Sequence, residues 1–326
     1  MILQVKPKPK PQAVVIEKGP LLDLIIIGGG PAGLSAALYA VRARLKTLLI
    51  EKMILGGQAS TTFFIENYPG FPEGLSGMEL SNRMQDQVRR LGLDILWGNA
   101  LSLKSKKNHR EIQVDGKLLT SKAVIIATGT EAAKLGIPGE DAFRGRGVSY
   151  CATCDGPFYK DKNIMVVGGG NSAIEEALFL TRYANKISIV HRRNELRAEK
   201  ILAERALSDP KIYFFWHSVV EEISGKEKIE RVTLKDLQSG KKMKVPIDGI
   251  FIYVGSKPNS EMVKDTAKLD SKGFIPTDEN MKTSATGIYA AGDVRVKSLR
   301  QVVTAVADGA IAAESARKYI EGLHKS

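Results

Sequence analysis

The residues best able to do chemistry are Cys151 and Cys154, in the stretch Cys151-Ala152-Thr153-Cys154-Asp155. They are the only two cysteines in 326 residues. Three readings fit the pair. Two thiols can fall close together with no role. They can be half of a zinc site, but such a site takes four N or S ligands, and the four histidines supply no matching pair. They can be a redox dithiol, the reading that a C-x-x-C in an intracellular α/β chain favours. Ala152 and Thr153 then set the turn. Asp155, directly after the second thiol, is a candidate proton donor or a plain helix cap. No metal is expected.

A dithiol needs elements to hold it and a source of electrons. The run from Leu22 to Ile27 reads as a strand buried on both faces. It leads into Gly28-Gly29-Gly30-Pro31-Ala32-Gly33, then a helix over 34–43 and a strand over 47–50 that ends at Glu51. A G-x-G-x-x-G between strand and helix, with an acid 23 residues after its first glycine, is a dinucleotide fingerprint. Gly28 permits the tight turn, Gly30 lets the backbone approach a pyrophosphate, and Gly33 lets helix and strand pack closely. The helix N-terminus supplies N–H groups to phosphates, and Glu51 can accept from ribose hydroxyls.

The same unit recurs. A strand over 163–167, the turn Gly168-Gly169-Gly170-Asn171-Ser172-Ala173, a helix over 174–183 and a strand over 186–190 keep the 23-residue spacing. The acid is replaced by His191-Arg192-Arg193, with Arg197 one turn on. Arginines there match a 2′-phosphate. The acid-ended unit therefore suits FAD and the arginine-ended unit suits NADPH. The flavin would carry the two-electron chemistry and the protein would position it.

Each unit is followed by β-rich sequence. For the first this is 94–97, 100–104 and 111–114, and for the second 213–216, 229–235 and 242–245. Ala123 to Gly129 reads as a strand returning to the first sheet, and 248–254 as its counterpart in the second. Gly292-Asp293 and a helix over 301–321 then rejoin the first domain. The expected class is α/β, with two Rossmann-like dinucleotide-binding domains of three-layer ββα type, the NADPH domain inserted into the FAD domain. Residues 1–20 form a Lys/Pro-rich flexible tail. Residues 21–132 and 257–326 form the FAD domain, and 133–256 the NADPH domain with the C-x-x-C.

Composition agrees with a soluble globular protein with a sizeable core: 43% hydrophobic and 26% charged residues, with no apolar run of the roughly 18 residues that span a bilayer. No secretory signal is apparent, so a cytoplasmic protein is expected. The net charge of +12 comes from scattered lysines and arginines without a nucleic-acid motif. It fits a solvated surface, or the steering of an acidic partner or a phosphate-bearing cofactor. Neither nucleic acid nor membrane is an expected partner. Trp97 and Trp216 are expected in the core.

From about Leu22 onward the chain resembles the low-molecular-weight thioredoxin reductases. The resemblance is carried by Gly28 to Gly33, Gly56-Gly57-Gln58, Glu66 to Gly70, Ala127-Thr128-Gly129, Cys151 to Gly156, Gly168 to Ala177, His191-Arg192-Arg193 with Arg197, Gly292-Asp293, and Arg300-Gln301-Val302. It implies that Gly57, Gln58, Asn67, Thr128, Gly129, Gly292, Asp293, Arg300, Gln301 and Val302 join the first turn and Glu51 around FAD. It implies that Cys154 faces the flavin, that Cys151 attacks the disulfide of the partner, and that Asp155 is the general acid. The expected activity is NADPH-dependent thioredoxin-disulfide reduction, with a thioredoxin or glutaredoxin-like protein as partner. A homodimer that alternates between two domain orientations is also implied. A relative drawing on NADH, ferredoxin or a deazaflavin is the alternative, against which the retained arginines argue. A flavin-binding redox sensor without turnover is a further, less supported reading.

Overall fold

The computed structural model describes residues 20–62 and 64–323; the expected tail, but for Pro20, lies outside them. Contacts divide the chain into two compact units. One takes in residues 20–55, 85–128 and 260–323, the other 56–84 and 129–259.

The first unit is built on strands β1 (Leu22–Ile27), β2 (Thr47–Glu51), β3 (Asp94–Trp97), β4 (Ala100–Ser105), β5 (Arg110–Val114) and β6 (Lys117–Ile126). They lie in the order β3-β2-β1-β6-β5-β4, and the late strand β17 (Ile288–Ala290) also pairs with β6. The ten residues of β6 have different neighbours along their length within this one sheet. Its first half pairs antiparallel with β5, and its second half lies parallel between β1 and β17. Leu24 to Ile27 are 0–4% exposed, so both faces of β1 are covered. This is why the four residues Leu24 to Ile27 are continuously apolar rather than alternating. Ile25 and Ile27 join Leu103, Ile112 and Val114 in one core. Arg110, 2% exposed, ties β5 to the end of the chain. Its guanidinium donates to the Thr286 carbonyl and to the Tyr319 hydroxyl at 3.0 Å.

Helix α1 (Pro31–Arg42) packs along α7 (Val302–Gly322). The contact is made of small residues: Ala32, Ala36, Ala37 and Ala40 on α1, and Ala305, Gly309, Ala312, Ala313 and Ala316 on α7 are all buried. The α7 set repeats at three and four residues, one face of a helix. A Cβ on Gly309 would lie 2.1 Å from the Ala32 carbonyl oxygen. Gly309→Ala is therefore expected to destabilise the fold by about 2–3 kcal/mol through overpacking, lowering the melting temperature by roughly 5–10 °C in a scanning calorimeter.

The second unit holds a five-stranded parallel sheet in the order β11-β10-β9-β15-β8: Ile212–Phe215, Lys186–Val190, Asn163–Val167, Gly249–Ile252 and Val148–Ser149. One face is covered by helices α5 (Asn171–Leu180) and α6 (Lys200–Ser208). The other is covered by an antiparallel sheet of β12 (Ser218–Gly225), β13 (Ile229–Asp236) and β14 (Lys242–Pro246). These are the three expected layers. A short pair, β7 (Thr130–Ala132) with β16 (Ser256–Pro258), joins the two ends of this unit. Helices α2 (Gly57–Thr61) and the short α4 (Ala152–Asp155) complete the set with α3 (Gly77–Arg89).

Two strands differ from expectation. The stretch 213–216 belongs to the parallel sheet, with β11 paired to β10, rather than to the antiparallel layer. Helix α6 stops before Asp209-Pro210, and the chain turns straight back beside β10, completing a β-α-β crossover. Asp94–Trp97 likewise pairs parallel with β2. The antiparallel layer instead gains β12, whose apolar alternation is interrupted by register shifts at Val220/Glu222 and Ser224/Gly225. Trp97 is not a core residue: it is 55% exposed, because β3 is the edge strand.

Candidate active site

Cys151 and Cys154 form a disulfide, with their Cα atoms 5.3 Å apart. Cys151 caps α4, its Sγ accepting from the Cys154 N–H at 3.2 Å. Ser149 fixes the backbone of Cys151: its Oγ accepts from the Cys151 N–H at 3.1 Å and donates to the Cys151 carbonyl at 3.2 Å. One residue earlier, the Tyr150 hydroxyl donates to buried Glu140 at 2.6 Å. Glu140 also accepts from the N–H groups of Leu135 and Gly136. The pair thus sits on a backbone held from the N-terminal side. Cys154 is exposed and Cys151 half-buried. Between them the Thr153 hydroxyl is buried without a partner among the described residues. Asp155 is half-buried and makes no side-chain cap bond to the 3-10 turn that follows, so capping does not account for it.

At the first glycine-rich turn, Gly28 has φ +105°, a conformation that favours glycine. A Cβ on Gly33 would lie 1.8 Å from the Gly28 carbonyl oxygen, so helix and turn touch. Gly30 is the N-cap of α1, followed by Pro31, and a Cβ on it would meet nothing within 4 Å. The Glu51 carboxylate accepts from the Gly29 N–H at 2.7 Å and the Met53 N–H at 2.8 Å. It braces the turn and retains acceptor capacity for ribose hydroxyls.

Gly292 and Asp293 lie in the same unit. Gly292 has φ +76° and faces Ala32 of α1, its N–H donating to Asp308 at 3.0 Å. Asp308 is 6% exposed and pairs with Arg295 at 2.9 Å and Lys297 at 2.7 Å. Asp293 Oδ1 is buried with no partner among the described residues. Burial pushes the Asp293 carboxyl above its ordinary value, against the pull of Lys297 and Arg300. Arg300 lies over the Phe274 ring at 4.2 Å, and its guanidinium reaches the Asp293 carbonyl at 3.4 Å. Gln301 caps α7 in a reciprocal capping box with Thr304, and Val302 is the first helical residue. Thr128 follows β6 in this unit, whereas Gly57, Gln58, Asn67 and Gly129 belong to the second unit. There the Gln58 amide donates to the Thr130 carbonyl. An open helix N-terminus and an orphaned buried carboxylate fit a dinucleotide with a hydroxyl-bearing ribityl or ribose chain.

The second turn has its own features. Gly168 has φ +146°, and Gly170, the N-cap of α5, opens onto space. Asn171 is tied to Glu199 by two hydrogen bonds of 2.8 and 2.9 Å. Ser172 is exposed and Ala173 buried. The Arg197 N–H donates to the Gly169 carbonyl at 2.6 Å, so the arginine-bearing loop is fastened to the turn. The His191 ring covers Gly169, and its Nε2 is buried without a partner among the described residues. Burial, then the charges of Arg197, Arg193 and Arg192, push His191 below its ordinary value. All three arginines are exposed, and none forms an ion pair among the described residues. Trp216, expected in the core, is half-buried and stacked on Phe214 at 4.7 Å, edge-on to His191. These unpaired cations beside an open helix start fit an anionic nucleotide.

Sequence reasoning missed Asp308, Arg295 and Lys297. Nothing in the local pattern marks a single aspartate in an Ala-rich helix as buried. It also missed Glu140, whose three bonds all come from residues within ten positions.

Residues 22–309 match the family model described as pyridine nucleotide-disulphide oxidoreductase. The chain is 47% identical to a thioredoxin reductase of Listeria monocytogenes over 94% of this chain and 96% of that one. It is 46% identical to a thioredoxin reductase of Bacillus subtilis over 94% and 97%. Among solved structures, the Lactococcus lactis thioredoxin reductase in its FR conformation superposes with a TM-score of 0.91, at 45% identity over 92% of this chain and 99% of that one. The T. acidophilum thioredoxin reductase does so at 0.87, with 34% identity over 93% and 99%. Fold and disulfide together define an oxidoreductase that uses a flavin and a pyridine nucleotide. The chain belongs to the pyridine nucleotide-disulphide oxidoreductase family. Among the described residues no helix is long and apolar enough to cross a membrane.

Proposed function

We infer that this chain is an NADPH-dependent thioredoxin reductase, passing the reducing equivalents of NADPH to the Cys151–Cys154 disulfide and from there to a thioredoxin or glutaredoxin-like protein. The observation that carries the reading is the disulfide itself, held on α4 in the unit whose strand β10 leads into His191, Arg192 and Arg193. Bound FAD would supply the two-electron transfer between the nicotinamide and the disulfide.

The residues of this chain supply the rest. The turn Gly28 to Gly33, Glu51, Thr128, Asp293 and Arg300 to Val302 would hold FAD. The turn Gly168 to Ala173 holds the NADPH pyrophosphate, and Arg192, Arg193 and Arg197 pair with its 2′-phosphate. The FAD domain comprises residues 21–132 and 257–326, and the NADPH domain 133–256. Reduction breaks the S–S bond and delivers two electrons, with Asp155 donating a proton to one sulfur. The Cys151 thiolate then attacks one sulfur of the partner disulfide, displacing the other as a thiolate. Cys154 next attacks Cys151 of the mixed disulfide. The partner leaves as a dithiol, and the Cys151–Cys154 bond is restored. The enzyme works as a cytoplasmic homodimer.

The test is an anaerobic titration of the flavin-loaded protein with NADPH and NADH, followed by oxidised thioredoxin. NADPH should bleach the flavin, and thioredoxin should restore its colour with the release of thioredoxin thiols. Bleaching without thiol release from any thioredoxin would overturn the reading.

A further inference from the structure

Asp308 lies on the buried face of α7, and no step of the exchange above calls on it. Its carboxylate takes three donors. Oδ1 accepts from Arg295 Nη1 at 2.9 Å. Oδ2 accepts from Lys297 Nζ at 2.7 Å and from the Gly292 N–H at 3.0 Å. Both cations are themselves enclosed, with side chains 14% and 7% exposed. An ion cluster of this kind adds little stability that apolar packing would not. What it adds is direction, because the third donor is a backbone N–H.

That N–H belongs to the residue before Asp293. Gly292 has φ +76°, and a Cβ on it would lie 2.9 Å from that of Ala32, so its turn is pressed against the first turn of α1. The Arg295 N–H closes the turn by donating to the Gly292 carbonyl at 3.2 Å. The Arg295 side chain is anchored in its own right, Nε donating to Thr277 Oγ1 at 2.9 Å. Gly292 is therefore held at both its N–H and its carbonyl, while Asp293 Oδ1 is buried with no partner among the described residues. We propose that Asp308 is a positioning residue for FAD: through the Gly292 N–H it fixes the turn that leaves the Asp293 carboxylate free for a hydroxyl of the bound dinucleotide. An acceptor set in place beforehand spares the ligand the cost of ordering it. The inference rests on the reading that this chain binds FAD, and deepens it.

The test uses the flavin-loaded full chain, diluted serially and separated by ultrafiltration, with free FAD read by its fluorescence. Arg295→Met is the common background, because removing one cation together with the carboxylate leaves the charge of the cluster as it is in the parent. In that background Asp308→Asn keeps a carbonyl for the Gly292 N–H and should hold FAD within about threefold of the parent. Asp308→Ala removes the acceptor, and the hydroxyl of Asp308→Ser is short and can turn back to a carbonyl of its own helix. Each should weaken binding roughly 10- to 100-fold, the loss when a buried N–H goes unpaired. Adding Asp308→Ala to Asp293→Ala should weaken binding no more than about twofold further, because the acceptor being positioned is already gone. A general loosening of α7 would instead multiply the two losses. Parental affinity in Asp308→Ala or Asp308→Ser, or multiplied losses, overturns the proposal, and either variant suffices if the other does not fold. The readout needs neither NADPH nor thioredoxin. A chain that shows the pattern yet reduces no thioredoxin would sink the proposed function and leave this inference standing. One that reduces thioredoxin but holds FAD equally in all variants would sink this inference alone.

Discussion

Cys151→Ser and Cys154→Ser are each expected to lower thioredoxin-dependent turnover by roughly 10⁴-fold or more, the scale of loss when one member of a concerted nucleophilic set is removed. Neither substitution touches a glycine-rich turn, so bleaching by NADPH should persist in both. The two variants should differ in one respect. Cys154→Ser leaves Cys151 able to form a mixed disulfide with thioredoxin but not to resolve it, and the adduct should accumulate and be visible by mass. Cys151→Ser should give none. The reverse pattern would exchange the roles of the two thiols, and full turnover by either variant would remove the dithiol from the mechanism. The fold should hardly change, because Cys154 is exposed and Ser at position 151 retains an acceptor for the Cys154 N–H.

Replacing both Arg192 and Arg193 with alanine is expected to raise the KM for NADPH roughly 10- to 100-fold, the loss of one or two charge-assisted hydrogen bonds. The KM for NADH should move less than about twofold, since it lacks the phosphate those bonds would serve. The guanidinium groups are exposed and unpaired within the chain among the described residues, so folding stability should be unaffected. Equal losses with both nucleotides would mean that the arginines hold the pyrophosphate or the loop instead. His191, kept neutral by burial and by the adjacent arginines, should contribute no charge of its own near neutral pH.

Much of the architecture could be read from sequence where local pattern and tertiary role coincide. The β1 run, the turn at Gly28 and the start of α1 fall together because each is dictated within a few residues. The helix begins at Pro31 rather than Leu34: Gly30 caps it, and proline suits a first helical turn, where its missing N–H has no partner to lose. What escaped the reading depends on distant neighbours. β11 resembles the antiparallel strands in composition, and only the crossover through α6 sends it to the parallel sheet. β12 hides its alternation behind bulges. Asp308 reads as a solvated helix residue, yet it is buried because Arg295, Lys297 and the Gly292 N–H close around it. The dithiol was legible from the C-x-x-C spacing together with the two glycine-rich dinucleotide turns. The hydrogen bond from the Ala152 N–H to the Tyr253 hydroxyl was not, because the two residues lie 101 positions apart.

The shared strand β6 has a consequence for synthesis on the ribosome. Its second half needs β17 as a neighbour, and the small-residue face of α1 needs α7. Both partners emerge only after the whole of residues 129–259 has been made. The second unit, apart from residues 56–84, is one unbroken stretch and can condense while translation continues, whereas the first waits with an apolar sheet edge and a bare helix face. A nascent chain halted before Ile288 would thus present a finished domain beside an unfinished one, and would engage chaperones through the earlier-made half.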